Sequence, residues 1–170
     1  MDTGGKVGKG KKNVILLVED NDMDIMLMLD AFVEAGVKND TRIAKSGEQA
    51  LDYLLGHGEF ADRSLHPLPD IILLDINLPG ISGIDVLKTL KQTDILKRIP
   101  VVILTSSAEE KDRIAGYDNG ANSFLVKPTS FSNLVDVAGT LDKYWCTYNE
   151  KASLRPLAES NGFLGTRLED

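Results

Sequence analysis

The sequence predicts an α/β fold, a parallel sheet covered by helices on both faces. Three observations predict it. Short apolar runs of strand length recur at Val14–Val18, Ile71–Leu74 and 100–104. They are continuous rather than alternating, which suits strands buried on both sides. Stretches with apolar residues at helical spacing lie between them, and such alternation argues for parallel strands with helical crossovers.

Each element can be justified in order. The first strand, Val14–Val18, ends in the polar cluster Glu19-Asp20-Asn21-Asp22. Ile25, Leu29, Phe32 and Val33 then recur at helical spacing, and Gly36 is a natural stop. A short strand is expected at 41–45. Ser46 and Gln49 form a capping box opening a second helix, with Ala50, Leu51, Leu54 and Leu55 inward. The Gly-, His- and Pro-bearing stretch from 56 to 69 reads as a loop. The third strand, Ile71–Leu74, ends at Asp75. After the turn Leu78-Pro79-Gly80 a third helix starts near Ser82, with Ile84, Leu87 and Leu90 inward. The fourth strand, 100–104, ends in Thr105. Ser107 and Glu110 are candidate caps of a fourth helix ending near Gly120. The fifth strand, Ser123–Val126, ends in Lys127-Pro128. The last helix carries Leu134, Val137, Ala138, Leu141 and Trp145. Right-handed crossovers leave few topologies for five such units. The expected one is a flavodoxin-like, doubly wound five-stranded sheet of order 2-1-3-4-5 with five helices.

At 170 residues the chain suffices for one core, placed at 13–148. The Gly- and Lys-rich segment 1–12 reads as a flexible tail, and 149–170 as a C-terminal extension or partner-binding segment. A net charge of −7 disfavours broad contact with phosphate backbones, so no nucleic-acid partner is expected. No apolar run is long enough for a membrane span or export signal. The lone Cys146 excludes an intrachain disulfide and fits a cytoplasmic setting.

The chemistry-bearing residues all fall at strand carboxyl ends: Glu19 and Asp20, Asp75, Thr105 and Lys127. In an open parallel sheet these ends meet at one crevice, where the strand order reverses. Three carboxylates there repel one another, and a hard divalent cation relieves the repulsion. Mg²⁺ suits oxygen ligands. Asp20, Asp75, the backbone carbonyl of Asn77 and, through water, the longer Glu19 would hold it. Asp75 is then a candidate nucleophile for phosphoryl transfer. Lys127 supplies a point charge for phosphoryl oxygens and Thr105 a hydroxyl.

These stretches resemble the receiver domain of bacterial response regulators. The matching pieces are Ile15-Leu-Leu-Val-Glu-Asp20, Ile72-Leu-Leu-Asp75-Ile-Asn-Leu-Pro-Gly80, Val102-Ile-Leu-Thr105-Ser-Ser and Phe124-Leu-Val-Lys127-Pro128. The resemblance covers residues 13–148. It implies an acidic pocket at Glu19 and Asp20, phosphorylation on Asp75 by a sensor histidine kinase, and a phosphate-contacting Lys127. It also implies a coupled switch pair, Thr105 and Phe124, and a cis bond before Pro128. Glu19 departs from the commoner Asp at its position.

The segment 56–69, together with Leu96-Lys-Arg-Ile-Pro100, 119–128 and Tyr144-Trp145, resembles the small regulators paired with phytochrome-type kinases. Such a protein is a switch that assists its own phosphorylation rather than an enzyme. With no reader domain expected in the residues after the last helix, its output would be a protein contact. A downstream protein, a phosphotransfer partner or a homodimer through the face of the fourth helix, fifth strand and last helix would receive it. Tyr144, Trp145 and Tyr148 are candidate interface aromatics, with core packing as the plainer reading.

Plainer readings exist for other residues too. Asp22 reads as a solvated helix-start residue and Phe124 as core. His57 and His66 read as solvent-exposed loop residues and Cys146 as unreactive. Three other functions compete. A haloacid-dehalogenase-type phosphatase wants an acid where Asn77 stands. A flavin carrier wants a phosphate-cradling loop where Glu19 to Asp22 stand. A receiver-like scaffold that is never phosphorylated usually lacks one of the key residues.

Overall fold

A computed structural model describes residues 12–156. Five parallel strands, β1 (Val14–Val18), β2 (Asp40–Ala44), β3 (Ile71–Leu74), β4 (Val101–Thr105) and β5 (Ser123–Val126), form one sheet of order β2-β1-β3-β4-β5. Five α-helices connect or follow them: α1 (Asp22–Glu34), α2 (Gly47–Leu55), α3 (Gly83–Gln92), α4 (Glu110–Asp118) and α5 (Phe131–Leu141). A π-helical segment, Asp142–Tyr148, extends α5.

Alternate side chains of the strands sort into two cores. Ile15, Leu17, Ile71, Leu73, Val102 and Leu104 meet Met28, Phe32, Leu134 and Ala138 of α1 and α5. Leu16, Val18, Ile72, Leu74 and Ile103 meet Leu54, Val86, Leu87 and Leu90 of α2 and α3. The central strands are therefore buried on both faces, which is why their apolarity is continuous.

The helix boundaries follow local chemistry. Asn21 caps α1 by accepting from the Asp24 amide at 3.0 Å. Ser46 caps α2 by accepting from the Gln49 amide at 3.0 Å, while Gln49 Oε1 accepts from the Lys45 amide at 2.7 Å, one residue before the cap. Gly56 closes α2 in the left-handed conformation, φ 72°.

Several expectations shift. The buried face of α1 is Ile25, Met28, Ala31 and Phe32, whereas Leu29 is at the edge and Val33 is exposed. Likewise Tyr53, not Leu55, faces inward from α2. The packing angle of each helix decides which of several evenly spaced apolar residues is covered. Ser107 does not cap α4, because its hydroxyl bonds Asp112 while the helix starts only at Glu110. His66 is half-buried, edge-on to the rings of Phe60 and Tyr53 at 5.1 and 5.9 Å, rather than solvated. His57 is exposed.

Residues 149–156 run along the base of the sheet. The Arg98 guanidinium donates to the carbonyls of Ser153 and Arg155 at 2.9 and 2.6 Å, and Leu154 packs against the core. The expected N-terminal tail, apart from Lys12, and the rest of the extension lie outside the described residues. Among the described residues no helix is long and apolar enough to cross a membrane.

Candidate functional site

The sheet ladder itself assembles the site. Val18 is in register with Leu74, so the next residues, Glu19 and Asp75, emerge side by side at the switch between β1 and β3. The Asp75 amide donates to the Val18 carbonyl at 3.0 Å, and the Glu19 amide to the Ala44 carbonyl at 3.0 Å. The Lys127 amide donates to the Thr105 carbonyl at 2.7 Å, which brings the end of β5 to the same edge.

The loop after β3 is held by close packing at Gly83. A Cβ there would lie 2.2 Å from the Asp75 carbonyl oxygen and 2.5 Å from Ile76 Cα, so the first residue of α3 sits against the backbone of the turn that carries Asp75.

Asp75 is buried, 6 % exposed, and its two oxygens have different surroundings. Oδ1 accepts from the Asn77 amide at 2.9 Å and from the Thr105 hydroxyl at 3.0 Å. Oδ2 accepts from Lys127 Nζ at 2.8 Å. Thr105 Oγ1 in turn accepts from Asn77 Nδ2 at 3.3 Å, so its hydroxyl oxygen is bonded on both sides. Lys127 Nζ also donates to Glu19 Oε2 at 2.5 Å and to Asp24 Oδ2 at 3.0 Å. Glu19 Oε1 accepts from the Asn21 amide at 3.1 Å.

These contacts set the charges. Burial penalises the Asp75 carboxylate, but bonds from Lys127, Glu19 and the Asn77 amide outweigh it and hold its pKa below the usual range. Burial and the neighbouring Asp75 push Glu19 up to about 7, against the pull of Lys127 and the Asn21 amide. Burial alone would lower Lys127, yet Asp75, Glu19 and Asp24 raise it, so it stays an ammonium. Two adjacent buried carboxyls have thus moved apart in acidity, with Asp75 the stronger acid.

Asp75, Thr105, Lys127, Glu19 and Asn77 come together as the sequence suggested. Asp20, the next residue after Glu19, is exposed at the same strand end, and no ion pair to it is formed among the described residues. Glu19 is buried, and the Lys127 ammonium bridges it to Asp75. Among the described residues no three His, Cys, Asp or Glu side chains are arranged to hold a metal ion as they stand, since the ammonium lies among the carboxylates. The donor set nevertheless fits a hard divalent cation. It is all oxygen, and it carries more carboxylate than the one lysine neutralises.

The bond before Pro128 is trans, not cis. A trans X–Pro bond is intrinsically preferred, and Lys127 reaches Asp75 with it. Phe124 is half-buried and packs on the α2–α3 core, its ring facing Gly116 of α4. Asp22 is exposed and pairs with Lys45 at 2.8 Å, whereas Asn21 is the cap. Tyr144 and Tyr148 are exposed, and Trp145 packs against the α1–α5 core. Burial pushes the Cys146 thiol up to about 11, which leaves it un-ionised at neutral pH. Asp24 was missed altogether. It stands six residues past the strand end, in the first turn of α1, and its carboxylate accepts from Lys127.

Comparisons with known proteins bear on the family and the fold. The profile of the response regulator receiver domain matches residues 15–138. The probable methanogenesis regulatory protein FilR2 of Methanothrix harundinacea is 38% identical over 149 residues, 88% of this chain and 94% of that protein. Response regulator Rcp1 of Synechocystis is 37% identical over 132 residues, 78% of this chain and 88% of its own length. A Mn²⁺-bound structure of Rcp1 gives a TM-score of 0.74 over 83% of this chain and 99% of that one. The phosphorylated cyanobacterial phytochrome response regulator RcpA is 35% identical, with a TM-score of 0.78 over 84% of this chain and all of RcpA. With five parallel strands in the order 2-1-3-4-5 and the acidic crevice at their carboxyl ends, the chain belongs to the response regulator receiver family.

Proposed function

We propose that this receiver accepts a phosphoryl group on Asp75 from a sensor histidine kinase. The observation that carries the reading is the asymmetry of the Asp75 carboxylate. Oδ1 is fixed by a backbone amide and a buried hydroxyl, while Oδ2 accepts from the side-chain ammonium of Lys127. One oxygen positions the group and the other is released for attack when Lys127 shifts. A bond forms from the carboxylate oxygen to phosphorus as the phosphorus–donor bond breaks, and the electron pair leaves with the donor group.

Asp20, Asp75, the Asn77 carbonyl and, through water, Glu19 would hold Mg²⁺. When bound, the cation supplies positive charge to the transferring phosphoryl oxygens. Lys127 contacts the phosphoryl group as a point charge, and the Thr105 hydroxyl turns from Asp75 Oδ1 toward a phosphoryl oxygen. Phe124, half-buried against Gly116, then moves into the space Thr105 leaves. That movement reshapes the face of α4, β5 and α5, on which Ile114, Tyr117, Val126 and Phe131 are exposed apolar residues. The protein is a switch in this reading and not an enzyme, and it works in the cytoplasm. A downstream protein, a phosphotransfer partner or a second copy binds the reshaped face, with no role for nucleic acid or membrane. The likeness to Rcp1 and RcpA supports a phytochrome-type kinase as the phosphodonor.

Intact mass after incubation with acetyl phosphate tests the reading. One added phosphoryl group is expected with Mg²⁺, none with a chelator, and none in Asp75→Asn. Folded wild-type protein that stays unmodified with several donors overturns it and favours a phosphorylation-independent scaffold.

A further inference from the structure

The Lys127 ammonium has three protons, and three carboxylates take them. Glu19 accepts at 2.5 Å, Asp75 at 2.8 Å and Asp24 at 3.0 Å. The first two are almost fully buried and belong to the proposed cation-holding set. Asp24 is different. It stands in the first turn of α1, its side chain 37 % exposed, and reaches the acceptor only through Lys127.

In this resting arrangement Lys127 is the counter-charge that keeps Glu19 and Asp75 together. A divalent cation held by Asp75 and, through water, by Glu19 needs the space and the lone pairs the ammonium is using. It also repels the ammonium directly. Lys127 must therefore be displaced, yet it stays partly buried on a short strand end and cannot simply move out into water. A charged lysine in such a place needs an anionic partner. Asp24 is the carboxylate already bonded to it that is not required by the cation. Moving toward Asp24 keeps one ion pair intact while it frees the other two.

We propose that Asp24 is a positioning residue, a berth that receives the Lys127 ammonium when a divalent cation takes Glu19 and Asp75. The proposal rests on the reading of this crevice as a cation-assisted phospho-acceptor site. It assigns Asp24 no contact with the phosphoryl group.

Calorimetric titration of Mg²⁺ into the full chain, with no phosphodonor present, tests it. Asp24→Asn is expected to weaken Mg²⁺ binding about 3- to 10-fold, the range of coupling between groups in direct contact. Asp24→Glu restores most of the affinity. Lys127→Met removes the competing cation and binds Mg²⁺ more tightly than wild type. In that background Asp24→Asn changes the affinity less than about 2-fold, because no ammonium remains to be received. Lys127→Gln serves the same comparison should the methionine variant not fold.

Wild-type-like binding by Asp24→Asn overturns the proposal. So does an equal loss with and without Lys127, which would make Asp24 a mere contributor of negative charge. Asp75→Asn separates the two readings. If it binds Mg²⁺ as well as wild type, the acceptor-site reading itself fails. If it loses binding while Asp24→Asn does not, only the role of Asp24 fails.

Discussion

Glu19→Gln gives the sharpest test of the charge balance in the crevice. The Glu19 side chain is buried, and its carboxyl titrates at about 7 against 4.5 when free. That displacement corresponds to about 3 kcal/mol of preference for the protonated form in the folded state. The sign follows from proton counts. Between these two pH values the folded chain holds the Glu19 proton and the unfolded chain has lost it, so stability falls as pH rises. The full cost is present above about pH 7 and absent below about pH 4.5.

Glutamine binds no proton in either state and still offers Lys127 an oxygen. The stability of Glu19→Gln minus that of wild type should therefore rise by about 3 kcal/mol between roughly pH 4 and pH 8.5. Asp75, held below its usual range, contributes stability that is lost as pH falls, but it does so in both proteins and largely cancels. Urea unfolding in chelator-containing buffer, followed by far-ultraviolet circular dichroism at five or so pH values, measures the difference. A difference that is flat to within about 0.5 kcal/mol, or that falls with pH, would refute the reasoning. Saturating Mg²⁺ should remove much of the wild-type cost at high pH, because a cation would favour ionised Glu19.

Other substitutions probe separate parts of the argument. Gly83→Ala drives a methyl into the backbone of Asp75 and Ile76, and should cost about 3 kcal/mol in urea unfolding; a loss below 1 kcal/mol would show that the acceptor turn yields easily. Lys127→Ala leaves Glu19 and Asp75 without their ammonium. It should cost about 3 kcal/mol at pH 8 without metal and clearly less at pH 5, where Glu19 can take up a proton. Tyr53→Phe removes the bond from its hydroxyl to the Pro67 carbonyl at 2.7 Å, and should cost about 1 kcal/mol by the same measurement. Leu154→Ala should cost about 1 kcal/mol if the segment along the base of the sheet is held by this half-buried contact.

The fold was legible because burial on both faces leaves a plain mark on a strand. Runs such as Ile71–Leu74 admit no alternating reading, and a site at strand carboxyl ends follows once five of them lie parallel. Helix faces were less legible. In α1 the residues Ile25, Met28, Leu29, Phe32 and Val33 are all apolar, so spacing alone does not choose the buried set, and the tilt of α1 against α5 decides it. The site's members were legible for the same reason as the strands, since Glu19, Asp75, Thr105 and Lys127 each end one. Their internal order was not. The pairing of Glu19 with Lys127, 108 positions away, is a tertiary contact that no local spacing shows. Asp24 looked like an ordinary acidic residue in a helix's first turn, where a carboxylate is favoured by the helix dipole alone.

The resting crevice explains how an acidic site can be kept ready. Without a cation the cluster would be strained by like charges. Three devices relieve it here: Lys127 bridges the acids, Glu19 moves up in pKa toward neutrality, and Asp20 stays in water. None of them neutralises Asp75, whose carboxylate stays the stronger acid and keeps its charge at neutral pH. The Asp75 carboxylate thus stays ionised while its neighbours absorb the electrostatic cost. In the proposed reading each device would be reversible by one entering cation, which would displace Lys127, favour ionised Glu19 and engage Asp20. The Thr105 hydroxyl and the Asn77 amide need not change during that exchange, because they hold the other oxygen of Asp75. If the proposed function holds, loading the site and throwing the switch would be separable steps. The first would fall to the β1 side, with Glu19, Asp20 and Lys127. The second would fall to the β4 side, where Thr105 is bonded to Asp75 and a phosphoryl group would give it a new partner.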